Sequence, residues 1–335
     1  MLNWQSILWS ALAIGALLLT SGWTYERIGE WRDARSHPAP GRRISVGARN
    51  LHLLCKGSES PTVVIEQGAG EPSKSWWPLQ DQIAEFARVC TYDRPGYGWS
   101  EPAPAGRTIG DRADELRALL SAAGMPGPYL LVAHSYGGLI VRDFALKHPD
   151  EVAGLVLIDT PEQSSIFQRE VLDFYSKARI MNRAFGFAAR FGMLRLLRHW
   201  LPLERFGIWF ERPQEFAALC DDLASVEHAP ASMRNSPKAG SLGSLPVAVL
   251  THGVPFPPPF AVLETNWSQG QDRLAASSTN SLLVVAAKST HMIQHDEPGL
   301  VIDTIRRIHA SVRGQQPLAY AEAMHPLMAN SDRSN

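Results

Sequence analysis

The chain has 335 residues, with 32 Lys and Arg against 33 Asp and Glu for a net charge of −1. Basic residues form no long cluster, so the footprint of a polyanion binder is absent and no nucleic-acid partner is expected. The composition is that of a compact enzyme preceded by one very apolar segment.

Residues 2–25 contain no charged side chain. A helix of that length would cross the roughly 30 Å hydrocarbon core of a bilayer. Trp4, Trp9, Trp23 and Tyr25 lie mostly near its ends, where an aromatic belt sits. The start carries no Lys or Arg, and Thr20-Ser21-Gly22 is a poor cleavage site, which points to a retained single-pass anchor over residues 1–25 rather than a signal peptide. The membrane is therefore one expected partner. Arg27, Arg32, Arg35, Arg42 and Arg43 follow the span, and by the positive-inside tendency they place the rest of the chain in the cytoplasm. Residues 26–41 read as a linker.

Beyond it, short β-rich runs alternate with helical stretches. Strands are expected at Leu51-His52-Leu53-Leu54 and from Thr62, Val89, Tyr129, Val152, Val247 and Leu282, with an amphipathic helix over 109–123. This alternation means a mostly parallel sheet with helices on both faces. The core spans 42–159 and 243–313. Between them, residues 160–242 contain no strand but helical stretches at 167–175 and 185–200, rich in Phe185, Phe187, Phe191, Trp200, Phe206, Trp209 and Phe210. Such an insertion reads as an apolar lid that shapes a pocket and limits water, as plain helix-to-core packing, or as a surface that touches a membrane. Residues 314–335 are polar and expected to be disordered.

The chemistry concentrates in Ala133-His134-Ser135-Tyr136-Gly137-Gly138, entered from the apolar run Tyr129-Leu130-Leu131-Val132. Small residues around a serine between a strand and a helix permit a tight turn that pushes the hydroxyl outward, so Ser135 is the candidate nucleophile. A serine hydroxyl needs a base and a group that orients the base. His291 follows the strand-like Leu282-Leu283-Val284-Val285 and lies where open α/β sheets carry their chemistry. His295 is a weaker candidate beside Asp296 and Glu297. The two histidines have an i, i+4 spacing, but Pro298 and the loop context argue against metal ligation, and no metal or cofactor is expected.

Taken together, these blocks resemble the α/β-hydrolase superfamily from Gly41 to Val312. Thr62-Val63-Val64-Ile65-Glu66-Gln67-Gly68-Ala69-Gly70 is similar to its third strand and oxyanion loop, and Tyr92-Asp93-Arg94-Pro95-Gly96-Tyr97-Gly98-Trp99-Ser100 to its loop after the fourth strand. Ser135 matches the nucleophile elbow, Val156-Leu157-Ile158-Asp159 the sixth strand, and Ser289-Thr290-His291 the histidine loop. The resemblance implies an eight-stranded, mostly parallel sheet with a helical cap after the sixth strand. It also implies an oxyanion hole from the amides of Tyr136 and Ala69, although the sequence does not separate Ala69 from Gly70.

The family's usual acid follows the seventh strand, where this chain reads Thr251-His252-Gly253-Val254-Pro255 with no carboxylate before Glu264. Some members carry the acid after the sixth strand, and Asp159 stands there, with Glu162 and Glu264 as alternatives. Cys55 and Cys90 fall on strands that are neighbours in the family's sheet, so a disulfide is conceivable, leaving Cys220 over; it would imply an oxidising compartment. His134 reads as a packing or pocket-wall residue, and Asp93 and Arg94 as structural turn residues.

The expected function is a membrane-anchored serine hydrolase that cleaves an ester-type bond of a small or medium apolar molecule. Thioesterase, amidase or lyase chemistry would use the same triad. A non-catalytic ligand-binding or scaffolding protein is the alternative, motivated by the missing acid after the seventh strand.

Overall fold

The computed structural model describes residues 3–198, 200, 212–229, 237–314 and 318. Eight strands form one sheet: β1 (Arg42–Val46), β2 (Arg49–Lys56), β3 (Val63–Glu66), β4 (Val89–Tyr92), β5 (Tyr129–His134), β6 (Val152–Ile158), β7 (Val247–His252) and β8 (Ser281–Ala286). Their order is β1-β2-β4-β3-β5-β6-β7-β8. β2 runs antiparallel to β1 and β4, and the remaining pairs are parallel. Every residue of β3, β4, β5 and β7 is buried, as expected for strands covered on both faces and hence apolar throughout rather than alternating.

Among the described residues, the α-helices up to β7 are α1 (Trp4–Ser36), α2 (Trp77–Ile83), α3 (Ile109–Ala122), α4 (Gly137–Lys147), α5 (Gln163–Ile166), α6 (Arg169–Ala189), α7 (Met193–Leu197) and α8 (Pro213–Glu227). On one face of the sheet, Leu131, Leu155 and Val249 meet Leu116, Ile140 and Phe144 from α3 and α4. On the other, Leu130, Val156 and Leu250 meet Leu79 and Ile83 of α2 and Ile302 and Ile305 of the helix Pro298–Val312. This division follows from the two-residue period of the strands, which sends neighbouring side chains to opposite layers.

α5 to α8 lie between β6 and β7, and no strand interrupts them among the described residues. α6 bridges the gap between the two helical stretches read from the sequence, because residues 176–184 contain neither Gly nor Pro. Gly192, at φ +69°, precedes α7 in the left-handed region that favours glycine. Phe206, Trp209 and Phe210 lie outside the described residues, as does nearly all of 314–335.

A buried ionic knot ties α8 to the sheet domain. Asp222 accepts from Arg94 Nη2 at 3.1 Å, Tyr97 Oη at 2.8 Å and Arg112 Nε at 3.1 Å, while Asp221 accepts from Arg112 Nη2 at 2.7 Å.

One feature departs from the sequence reading. Residues 26–36, read as linker, continue α1 as one helix of 33 residues, and Glu26 is 1% exposed beneath the insertion. Cys55 and Cys90 face each other in the β2–β4 register and are disulfide-bonded, whereas Cys220 is a buried free thiol.

Candidate active site

The C-terminal ends of β3, β5, β6, β7 and β8 converge on one side of the sheet. β5 ends at His134 and α4 begins at Gly137, so Ser135 and Tyr136 must make the whole reversal. Ser135 adopts φ +50°, a left-handed conformation that is costly for a residue with a Cβ and recurs at functional turns. The glycines after it have a steric reason. A Cβ on Gly137 would lie 2.5 Å from the Glu66 carbonyl oxygen, and one on Gly138 would lie 2.1 Å from Thr160 Cγ2. Only glycine lets α4 start this close to β3 and β6.

His291 is presented by a loop after β8. Asp296 Oδ2 accepts from the Thr290 amide at 2.9 Å and its hydroxyl at 2.8 Å, and Glu297 Oε1 accepts from Ser289 Oγ at 2.8 Å. These bonds fix the backbone on both sides of the ring. His291 Nε2 lies 2.9 Å from Ser135 Oγ, and Nδ1 lies 2.7 Å from Asp159 Oδ2. A carboxylate only accepts, so Nδ1 carries the proton and Nε2 is left to accept from the serine hydroxyl. Phe256 and Trp267 wall the ring at centroid distances of 5.1 and 6.0 Å.

Asp159 follows β6 at φ +45° and is fully buried. Its Oδ1 accepts from the His252 amide at 3.0 Å and Trp267 Nε1 at 3.1 Å, and its Oδ2 also faces His252 Nδ1 at 2.7 Å. Burial alone would raise its pKa, but the bonds from His252 and His291 hold it well below the usual carboxylate range. His252 occupies the end of β7, where the sequence reading found no acid and assigned this residue no role. A histidine there pairs with a carboxylate from the neighbouring strand, and that ring was the signal to follow. Glu264 reaches His252 Nε2 at 3.3 Å, and Glu162 accepts from Ser164 and Arg273. Neither alternative acid is bonded to His291 among the described residues.

The loop after β3 is propped from below. Arg94 Nη1 donates to the Gln67 carbonyl at 2.7 Å and its Nη2 to the Gly68 carbonyl at 2.6 Å. The Gly68 amide donates to Glu71 Oε2 at 2.7 Å and the Gly70 amide to Tyr97 Oη at 3.2 Å. Ala69 and Tyr136 differ: no acceptor for either amide is found among the described residues. Tyr136 also stands at the N-terminus of α4, where the helix dipole favours negative charge.

His134 does more than pack. Its Nδ1 faces Glu71 Oε2 at 2.9 Å, its Nε2 donates to the His291 carbonyl at 3.0 Å, and its ring centroid is 4.7 Å from that of His291. Burial opposes charge on this ring, but the Glu71 carboxylate overcomes it and raises the His134 pKa. Glu71 is brought down to about 2, its burial outweighed by His134 and the Gly68 amide. For His291 the balance goes the other way: desolvation, aided by the neighbouring His134, outweighs the bond to Asp159 and lowers its pKa. Asp93 is structural, accepting from His52, the Ser73 amide and the Trp99 amide.

Residues 61–197 match the family described as alpha/beta hydrolase fold. The uncharacterized protein YqjL of Bacillus subtilis (strain 168) is 30% identical over 246 residues, which span 73% of this chain and 82% of YqjL. Among solved structures, MGS-M2, an alpha/beta hydrolase enzyme from a Medee basin deep-sea metagenome library, aligns with a TM-score of 0.63 at 17% identity over 84% of this chain and 100% of that one. A thermophilic esterase from Thermogutta terrifontis aligns with a TM-score of 0.58 at 23% identity over 82% of this chain and 99% of that one. At these identities the two structures speak for the fold.

Proposed function

Because this chain belongs to the alpha/beta hydrolase family, we propose that it is a serine hydrolase cleaving an ester-type bond of a small or medium apolar substrate through an acyl-enzyme. One observation carries the reading: Ser135, His291 and Asp159 form an unbroken relay with contacts of 2.9 and 2.7 Å. Ser135 Oγ attacks the substrate carbonyl carbon while its proton passes to His291 Nε2, and Asp159 stabilises the imidazolium that forms. The oxygen that gains charge lies against the Ala69 and Tyr136 amides, each such donor being worth roughly 2.7–4 kcal/mol in the transition state. The Gly70 amide, already given to Tyr97, is a poorer donor for this task. His291 then returns its proton to the leaving alkoxide. In the second half it takes a proton from water, whose oxygen attacks the acyl carbon, and then gives that proton to Ser135 Oγ as the C–O bond to the serine breaks and the acid leaves.

The insertion between β6 and β7, residues 160–242, acts in this reading as a cap over the site, with 42–159 and 243–313 as the core. The apolar part of α1 serves as a single-pass anchor; among the described residues it is the one helix long and apolar enough to cross a membrane. The Cys55–Cys90 bridge favours an oxidising compartment for the core, against the cytoplasmic placement drawn from the arginines after the span. Alkylation of the isolated protein before and after reduction tests this side: one modified cysteine rising to three supports it, and three at once overturns it.

The non-catalytic alternative loses its motive, because Asp159 fills the role left empty after β7. A fluorophosphonate probe decides between the two. Rapid labelling of the protein and none of Ser135→Ala is expected, with p-nitrophenyl esters of varied acyl length then defining the substrate. Equal labelling of both forms would refute the hydrolase reading.

A further inference from the structure

At 33 residues, α1 is about 50 Å long, well beyond the roughly 20 residues that span a bilayer. Its surplus is fastened to the insertion. Arg195 of α7 donates to both oxygens of the buried Glu26 at 3.0 and 3.1 Å, and its third nitrogen reaches Asp33 at 2.7 Å. Burial disfavours the Arg195 charge, but its bonds to Glu26 and Asp33 raise its pKa further. The two segments also meet closely: a Cβ on Gly22 would lie 2.6 Å from the Phe191 carbonyl oxygen, and one on Gly192 would lie 2.6 Å from the Tyr25 ring. Gly22 lies within the charge-free stretch, so the insertion touches α1 at the level where apolar sequence gives way to charge.

The short helix at this contact and the turn after it enclose a charge while exposing apolar side chains. Arg195 and Leu194 are buried, while Met193, Leu196 and Trp200 are 54%, 56% and 80% exposed. Phe187, one turn before the contact, is 61% exposed. A water-facing surface gains nothing by turning these side chains outward while enclosing a guanidinium. At the boundary between headgroups and acyl chains the same arrangement buries the apolar side chains in lipid.

We infer that Phe187, Met193, Leu196 and Trp200 form a docking surface for the phospholipid bilayer that α1 crosses, so that the insertion rather than the core rests on the lipid. The continuity of this face with the apolar span identifies its occupant, and the inference rests on the anchoring part of the proposed function. An apolar substrate dissolved in the bilayer would then meet the insertion first.

The test uses the full chain in phosphatidylcholine–phosphatidylglycerol vesicles, with an environment-sensitive nitrobenzoxadiazole label on Leu196→Cys or, as control, on Asp303→Cys. The Asp303 side chain is 71% exposed on the helix Pro298–Val312. A blue shift and several-fold quenching by doxyl-labelled lipid at position 196, without either at 303, is the expected result. Resistance to carbonate extraction is read in parallel. A water-like spectrum at 196 in a carbonate-resistant sample overturns the docking surface and leaves the anchor intact. A blue shift that doxyl lipid does not quench means that protein, such as a second copy, covers the face, and overturns it too. A chain extracted by carbonate overturns the anchor and the docking surface together.

Discussion

His252 and His291 both point Nδ1 at Oδ2 of Asp159, each at 2.7 Å, so one buried carboxylate oxygen serves two imidazoles from adjacent strand ends. The end of β7 carries no carboxylate of its own, and it contributes a second ring that shares the one after β6.

Replacing Asp159 therefore tests the triad and its acid at once. Asp159→Asn keeps the shape but presents an amide where two N–H groups need an acceptor. We expect kcat to fall by roughly 10⁴-fold, the scale known for such a change in a serine triad. Glu264→Gln should stay within a few-fold, since Glu264 touches His252 and not His291. Esterase kinetics on the two variants check this, and the opposite ranking would transfer the role to Glu264.

The pH profile reports the competition for Asp159. Burial lowers the His252 pKa, but Asp159 and then Glu264 raise it overall, so the ring holds its proton to a higher pH than a free imidazole. His291 sits below its ordinary 6.5. The rise of kcat/KM with pH should accordingly be centred below 6.5. In His252→Phe, Asp159 serves His291 alone, and the midpoint should move upward. An unchanged midpoint would separate His252 from the base.

Stability should follow the Glu71–His134 pair. Glu71 is lowered from 4.5 to about 2, so its contribution is present above 4.5 and is lost as pH falls toward about 2. That displacement corresponds to about 3 kcal/mol. His134 is raised, so its contribution is present below 6.5 and is lost as pH rises through its folded value. The pair should add most between pH 4.5 and 6.5. Urea midpoints across pH check this, and Glu71→Gln should flatten the acid limb.

The knot under α8 predicts a stability loss away from the reacting atoms. Asp222→Asn leaves Arg94 and Arg112 buried with a weaker partner, and breaking such a buried pair costs roughly 3–5 kcal/mol. Thermal unfolding should register it. Because Arg94 also props the Gln67 and Gly68 carbonyls, kcat should fall as well. A variant as stable as the parent would show that the knot adds nothing to the fold.

The elbow was legible because its demands are local. A turn of two residues between β5 and α4 needs Gly137 and Gly138 because a side chain at either would run into Glu66 or Thr160. The histidine loop was legible from its place after β8. The role of His252 was not, since a histidine inside a β-rich run looks the same whether it packs against apolar neighbours or binds a carboxylate. The linker reading of 26–36 failed for a related reason. Glu26, Arg27 and Glu30 mark the end of an apolar span, and nothing in their order says that Glu26 is enclosed by Arg195.

By itself, the sequence determined the alternation of strands and helices, the serine at its turn, the histidine after the last strand and the apolar span, because each depends on spacing along a few consecutive residues. The tertiary structure decided which carboxylate is bonded to His291, which amides near Ser135 have no acceptor among the described residues, and where the surplus of α1 docks. Those outcomes join residues far apart in the chain, 93 positions for His252 and Asp159 and 169 for Arg195 and Glu26, and packing alone sets their distances.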